Sequence, residues 1–232
     1  MPTSTSAIIV AAGAGVRMGG DAPKALMPLG GKPMLLWSLE TIRASPLVDA
    51  VVVVAPPGRE GSVRALVAGP GAPVVVVPGA GSRSESVREG LTAVPAATSR
   101  VMVHDAARPL VSADLIAAVL GALEGVDGAI AAAPVVDTLK RGDADALIDG
   151  TVARAGLWAA QTPQAFHAPA LRAAIDAAGR AGTLAASTDC ASIVEAAGGR
   201  VRLVPSTAPN PKVTTPADTV LAHAILGVRG PG

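Results

Sequence analysis

The chain has 232 residues, half of them apolar, and its 19 Lys and Arg against 18 Asp and Glu leave a formal net charge of +1. That length suits one large α/β domain or two small ones, and the near-neutral balance argues against broad electrostatic binding to DNA or RNA. With two tryptophans, one phenylalanine and no tyrosine, the core has to be built from Val, Ile, Leu and Ala. Cys190 is the single cysteine, which excludes an intrachain disulfide, fits a reducing cytoplasm and reads as a small buried hydrophobe. Gly, Pro or a charge breaks every apolar run before membrane-spanning length, and the opening MPTSTS lacks the basic region of a secretory signal.

The first apolar run, Ala7 to Ala12, is β-branched without polar alternation and predicts a strand buried on both faces. It opens into Gly13 and Gly15, residues that can take φ > 0 and let a ligand approach the backbone. Consecutive N–H groups in such a turn form an anion-binding nest, and Arg17 and Lys24 add two positive charges. A strand, a glycine loop and two cations in that order suit a polyanion, most simply a nucleoside triphosphate. The dinucleotide fingerprint fails, because Met18 stands where G-x-G-x-x-G needs its third glycine and Ala55-Pro56-Pro57 replaces the acidic residue expected after the second strand. The Walker loop fails too: Gly31-Lys32 has Leu26 at the first glycine position and Pro33 after the lysine. The H-R-D and D-F-G partners of a kinase glycine loop are absent from the sequence.

Met34 to Ala44 carries apolar residues at helical spacing, and Asp49 to Ala55 is a second buried strand. A short helix over Gly61 to Ala68 and a third strand over Pro73 to Val77 follow, the grammar of a parallel sheet with right-handed crossovers. Ser82 or Ser84 caps the next helix, with Glu85 able to close a capping box on Ser82, and the helix runs to about Val94. Its start is expected beside the first glycine loop, at the carboxyl ends of the strands, where its orphan N–H groups meet a base or a phosphate. The fourth strand, Val101 to Val103, leads into His104-Asp105-Ala106-Ala107-Arg108-Pro109. A carboxylate at that place is costly to bury unpaired. Either Mg²⁺ beside a triphosphate compensates Asp105, one carboxylate being enough, or Asp105 forms a structural pair with Arg108. His104 reads as a hydrogen-bonded core residue.

Ser112 caps a helix reaching Leu123, and Gly128 to Ala133 is a fifth strand. From Pro134 to Trp158 polar and apolar residues roughly alternate, with turn signals at Arg141-Gly142-Asp143 and Asp149-Gly150. This predicts a two-stranded arm over about residues 135–157. A ribbon of that kind needs a partner, so it packs on a second subunit in a two-fold dimer or folds back on its own domain; the former is expected. Gln161 to Phe166 returns to the sheet. Helices follow over Leu171 to Ala178 and Asp189 to Ala197, the second capped by Ser187 or Thr188. Val201 to Val204 is the last strand, and Pro216 to Leu226 a closing helix with Pro216 in its first turn. The fold class is α/β: a single domain with one doubly wound, mainly parallel sheet and a protruding β-arm.

The loop A-A-G-x-G-x-R-M followed by P-K is similar to the signature loop of sugar-phosphate nucleotidyltransferases. Taken in order, AAGAGVRM (11–18), PK (23–24), GSRSESV (81–87), VHDAARP (103–109), DTLKR (137–141), RAGLWAAQTPQ (154–164), STD (187–189) and PKVT (211–214) resemble the 2-C-methyl-D-erythritol 4-phosphate cytidylyltransferase family of non-mevalonate isoprenoid synthesis. The resemblance implies a Rossmann-like nucleotidyltransferase fold, a cytoplasmic homodimer joined through the arm, and Mg²⁺ as cofactor. Its substrates would be two small molecules, CTP and a polyol phosphate, with neither a nucleic acid nor a membrane as partner. It makes Arg17 and Lys24 the catalytic cations on the CTP phosphates, flanked by Ala11, Ala12, Gly13, Ala14 and Gly15. Gly79, Ala80, Gly81 and Ser86 would read cytosine and ribose, with Ala106 also against CTP. Asp105 would hold Mg²⁺ and border the polyol phosphate, which Arg108, Thr162, Thr188 and Lys212 would enclose. Thr138 and Arg154, on the arm, would reach the neighbouring subunit's polyol phosphate. The family usually has a second glycine at Ala80, often an acidic residue at Gly81, and commonly a polar residue at Ala25. The rival readings are a family member acting on another polyol phosphate, such as ribitol 5-phosphate, and a catalytically silent nucleotide-binding regulator.

Overall fold

A computed structural model of the chain describes residues 3–13 and 23–229. The first strand, β1 (Thr5–Val10), is followed by a small hairpin, β2 (Pro28–Leu29) and β3 (Lys32–Pro33), that delivers the chain into α1 (Met34–Ala44). Then come β4 (Ala50–Ala55), α2 (Glu60–Leu66), β5 (Val74–Pro78), α3 (Arg83–Thr92) and β6 (Arg100–Asp105). The second half runs through α4 (Ala113–Gly121), β7 (Gly128–Pro134), the arm strands β8 (Leu139–Gly142) and β9 (Ile148–Val152), and β10 (Trp158–His167). It ends with α5 (Ala168–Arg180), α6 (Cys190–Ala196), β11 (Val201–Pro205) and α7 (Pro216–Arg229).

Seven strands form one sheet in the order β11-β7-β10-β6-β1-β4-β5, and β10 alone runs antiparallel to its neighbours β6 and β7. Both faces are covered, as the unbroken apolar strands require. Ala7 and Ile9 of β1 join Val51 and Val53 in a cluster with Leu35, Leu39 and Ile42 of α1 and Ile116 and Val119 of α4. Ile8, Val52 and Val54 point the other way, onto Val87 and Leu91 of α3, while Val101 and Val103 join Leu171 and Ile175 of α5 on that face. Gly90 lets α3 lie close to the sheet: a methyl there would meet Ile8 Cγ2 at 2.7 Å and Val54 Cγ2 at 2.9 Å. A third cluster seats Ala222 of α7 with Leu29, Met34, Leu110 and Val213.

The strand order creates the site. From β1 the chain steps to β4 and β5, then crosses back to place β6 on the other side of β1. β1 is followed in the sheet by β4 on one side and β6 by β10 and β7 on the other, and the crevice at such a switch point is where open α/β sheets bind ligands.

Three local expectations change. Asp149-Gly150 lies inside β9, because the arm turns earlier: the Asp143 carboxylate accepts the N–H groups of Asp145 at 3.0 Å and Leu147 at 2.9 Å. The cap of α6 is Asp189, which accepts from Ser192 N at 2.9 Å; Ser187 and Thr188 stand too early in the chain to serve it. Gly13 does not have φ > 0, and a methyl built on it would meet nothing within 4 Å, so it simply leaves space at the mouth of the crevice.

Candidate active site

A cavity of about 350 Å³ fills the switch point. Ala11, Ala12 and Gly13 line it from the end of β1, Lys24 and Ala25 from a short 3₁₀ turn, and Ala106 from the end of β6. The start of α3 closes it with Ala80, Gly81 and Ser86. Ser82 caps that helix by accepting from Glu85 N at 3.2 Å, and the helix start shares the cavity with Ala11, Ala12 and Gly13. Ser86 Oγ accepts the N–H of Ala80 at 3.0 Å, which folds the turn over the cavity and leaves the hydroxyl hydrogen for another partner. Gly79 stands behind this wall: a methyl there would run into the Ala12 methyl and come within 3.1 Å of Ser86 Oγ and 3.2 Å of the Ala55 carbonyl. Of the predicted nucleotide contacts, Ala14, Gly15 and Arg17 lie outside the described residues.

A second cavity of about 210 Å³ adjoins the first. Arg108, Thr162, Thr188 and Lys212 line it together, as the resemblance implied. β10 loses its register with β7 between Ala160 and Gln164, and Gln161 and Thr162 of this irregular stretch also border the cavity. Thr138 and Arg154 are not part of it. They sit on the arm, where Arg154 Nη1 donates to the carbonyl of Val136. The two cavities have Arg83, Asp105 and Lys212 in common.

Asp105 is satisfied by two cations, neither of them Arg108. Its Oδ1 accepts from Arg83 Nε at 2.9 Å, with Nη2 of the same residue also at 2.9 Å, and its Oδ2 accepts from Lys212 Nζ at 2.7 Å. Burial works to raise the Asp105 pKa, but Arg83 and then Lys212 reverse this and hold the carboxyl well below the usual range. Burial likewise opposes the charge on Arg83, and Asp105 outweighs it, so the guanidinium stands above its ordinary value. Arg108 is buried without a carboxylate partner. It donates from Nη1 to the Asn210 carbonyl at 2.7 Å, its Nε has no hydrogen-bond partner, and burial lowers its pKa.

A divalent ion was the other expected partner of Asp105. Among the described residues no three His, Cys, Asp or Glu side chains stand together as a cage. A dication on Asp105 would have to approach a guanidinium and an ammonium already bound to that carboxylate. With both its oxygens taken by cations, Asp105 as it stands here does not fit a coordinated metal ion.

Arg83, Gln164 and Asp189 lie in the quoted motifs, yet the sequence alone gives them no site role. Gln164 is buried and donates to Asp189 Oδ2 at 2.8 Å, tying β10 to the start of α6 beside the second cavity. Arg83 carried a signal: a cation as the first residue of a helix opposes the helix dipole and calls for a nearby anion.

A doubly wound sheet with one cavity at its switch point, and a second cationic cavity abutting it, defines an α/β nucleotidyltransferase. Known proteins agree. A solved structure described as 2-C-methyl-D-erythritol 4-phosphate cytidylyltransferase from Thermus thermophilus matches with a TM-score of 0.77 and 35% identity over 97% of this chain and 98% of that one. One from Francisella tularensis matches with a TM-score of 0.84 and 30% identity, covering 97% of this chain and 100% of the other. By sequence, the protein of that name from Prochlorococcus marinus is 40% identical over 223 residues, 96% of this chain and 98% of the relative. That of Frankia casuarinae is 46% identical over 222 residues, 95% of this chain and 80% of the relative. The family model described as IspD, 2-C-methyl-D-erythritol 4-phosphate cytidylyltransferase, matches residues 5–228, and the chain belongs to that family.

Proposed function

We propose that this protein joins CTP and 2-C-methyl-D-erythritol 4-phosphate, giving 4-diphosphocytidyl-2-C-methyl-D-erythritol and pyrophosphate, and that the whole chain acts as one nucleotidyltransferase unit. The observation that carries the reading is the pair of abutting cavities with Arg83, Asp105 and Lys212 in their common wall. The larger suits the nucleotide. The smaller, with buried Arg108 and the hydroxyls of Thr162 and Thr188, suits a phosphorylated polyol.

The substrate phosphate oxygen attacks the α-phosphorus of CTP in line. A new P–O bond forms there, the bond to the bridging oxygen breaks, and pyrophosphate leaves with the electron pair. A phosphate monoester is already a nucleophile near neutral pH, so no serine or cysteine nucleophile is needed. The protein aligns two anions and offsets their repulsion. Lys24 in the first cavity does this for the triphosphate, with Arg17 assigned the same role. Lys212 and Arg108 do it for the polyol phosphate. Magnesium enters this reading as the companion of the triphosphate.

The arm completes the site of a second subunit in a homodimer. On the arm, Val136, Leu147 and Ile148 are 72%, 65% and 68% exposed, apolar positions that a partner would cover. Thr138 and Arg154 then serve the neighbour's polyol phosphate. We place the protein in the cytoplasm; among the described residues no helix is long and apolar enough to cross a membrane.

Pyrophosphate release measured with each nucleoside triphosphate against a panel of polyol phosphates tests the function. CTP with 2-C-methyl-D-erythritol 4-phosphate should be the preferred pair. Preference for ribitol 5-phosphate, or no release with any pair, would overturn it.

A further inference from the structure

Arg83 opens α3 on the boundary of the two cavities. Its guanidinium is clamped on two sides. Nε and Nη2 meet one oxygen of Asp105 at 2.9 Å, and Nη1 lies 3.8 Å from the sulfur of buried Cys190. Lys212 holds the other oxygen of Asp105 differently: its side chain is 41% exposed, against 21% for Arg83. One carboxylate thus carries a fixed cation and a more accessible one.

A buried carboxylate stripped of its last partner is strongly destabilising, whereas one that keeps a cation hydrogen-bonded to it does not meet that penalty. With Arg83 in place, the Lys212 ammonium can leave Asp105 for an incoming phosphate while the Asp105 charge stays matched. Without Arg83, the task of neutralising Asp105 would fall to Lys212, which would be held there. We infer that Arg83 is a positioning residue of the transfer reaction, holding Asp105 in place so that Lys212 can turn from that carboxylate to the phosphate of the second substrate. The inference rests on reading the second cavity as the polyol-phosphate site.

Steady-state kinetics on Arg83→Gln, Arg83→Lys, Asp105→Asn and the Arg83→Gln/Asp105→Asn double variant test it. Removing one charge-assisted hydrogen bond predicts that Arg83→Gln raises KM for the polyol phosphate about tenfold or more. KM for CTP should stay within about threefold, and Arg83→Lys should recover part of the loss. Because Arg83 acts through Asp105, adding Arg83→Gln to Asp105→Asn should cost less than about threefold more. Equal losses for both substrates, no rescue by lysine, or fully multiplicative effects would overturn the inference. Should the glutamine variant fail to fold, the lysine variant against wild type decides: an unchanged KM for the polyol phosphate overturns it. Calorimetric titration with inorganic phosphate separates the role of Arg83 from the identity of the substrate. Phosphate binding to Arg83→Lys as tight as to wild type overturns the role of Arg83 whatever the true substrate. Weakened phosphate binding in a protein that turns over no CTP–polyol pair upholds that role and overturns the proposed function alone.

Discussion

His104 Nε2 donates to the carbonyl oxygen of Arg108 at 3.1 Å, and this bond fixes where the imidazole carries its proton. A carbonyl only accepts, so Nε2 bears the hydrogen and, in the neutral ring, Nδ1 is an acceptor. Thr162 Oγ1 lies 3.1 Å from Nδ1 and accepts the Asp105 N–H at 3.0 Å. The Thr162 hydrogen is therefore spent on His104, and what the hydroxyl can still offer the second cavity is a lone pair.

That chain predicts acid sensitivity. Burial holds the His104 pKa down to about 4 from an ordinary 6.5. Well above pH 6.5 the imidazole is neutral whether the chain is folded or not and contributes no slope. Between 6.5 and 4 the unfolded chain takes up a proton that the folded one refuses, so stability falls as pH falls through that window. Asp105, depressed in the folded state, adds its own loss as pH falls through the ordinary carboxylate range and below. Chemical denaturation across pH 4 to 7 checks this, with His104→Gln as control. The variant should lose about one proton's worth of slope in that window; an unchanged slope would count against the assignment.

Lys24 is the described cation of the first cavity that stands nearest the glycine loop in sequence. Lys24→Ala is expected to lower kcat by about two to three orders of magnitude, the effect of losing one preorganised charge donor at a phosphoryl centre. Pyrophosphate-release kinetics give the answer, and activity within about twofold of wild type would remove Lys24 from the mechanism.

The arm yields a prediction about assembly and one about chemistry. Ile148→Asp places a charge on a 68% exposed apolar position and should shift the proposed dimer towards monomer in light scattering. Arg154→Ala should chiefly weaken use of the polyol phosphate. If sites are built from two chains, mixing Arg154→Ala with Lys24→Ala subunits restores part of the activity. No recovery after demonstrated subunit exchange would place Arg154 outside the neighbour's site.

Sequence patterns exposed what depends on neighbours along the chain and missed what depends on neighbours in space. The buried strands, the Ser112 cap and the arm were all legible, and the cap of α3 was narrowed to Ser82 or Ser84, because period, cap chemistry and turn residues are local. So was the meeting of Arg108, Thr162, Thr188 and Lys212, through their place in motifs at the carboxyl ends of strands. The partner of Asp105 was not. Arg108, three residues on, was the nearest candidate in sequence, yet Arg83 and Lys212 reach the carboxylate from 22 and 107 residues away. The cap of α6 failed for a different reason. Three polar residues in a row, Ser187, Thr188 and Asp189, can each cap, and only the register of the following turn selects Asp189.

The turn over the first cavity explains one departure from the family pattern and predicts its consequence. Ala80 does not have a left-handed φ; Ala146 is the one non-glycine residue with positive φ among those described. A glycine at 80 is therefore not demanded by backbone conformation, and Ala80→Gly should lower stability by no more than about 1 kcal/mol, through the added freedom of the unfolded chain. Gly79 differs, because a methyl there collides with Ala12 and crowds Ser86 Oγ and the Ala55 carbonyl. Overpacking of that kind typically costs about 1 to 3 kcal/mol and shifts backbone. Gly79→Ala should thus be the more destabilised of the two in chemical denaturation. It should also raise KM for CTP more than for the polyol phosphate, since the wall it deforms belongs to the first cavity. An Ala80→Gly loss equal to that of Gly79→Ala would show that conformation, and not close packing, sets the sequence of this turn.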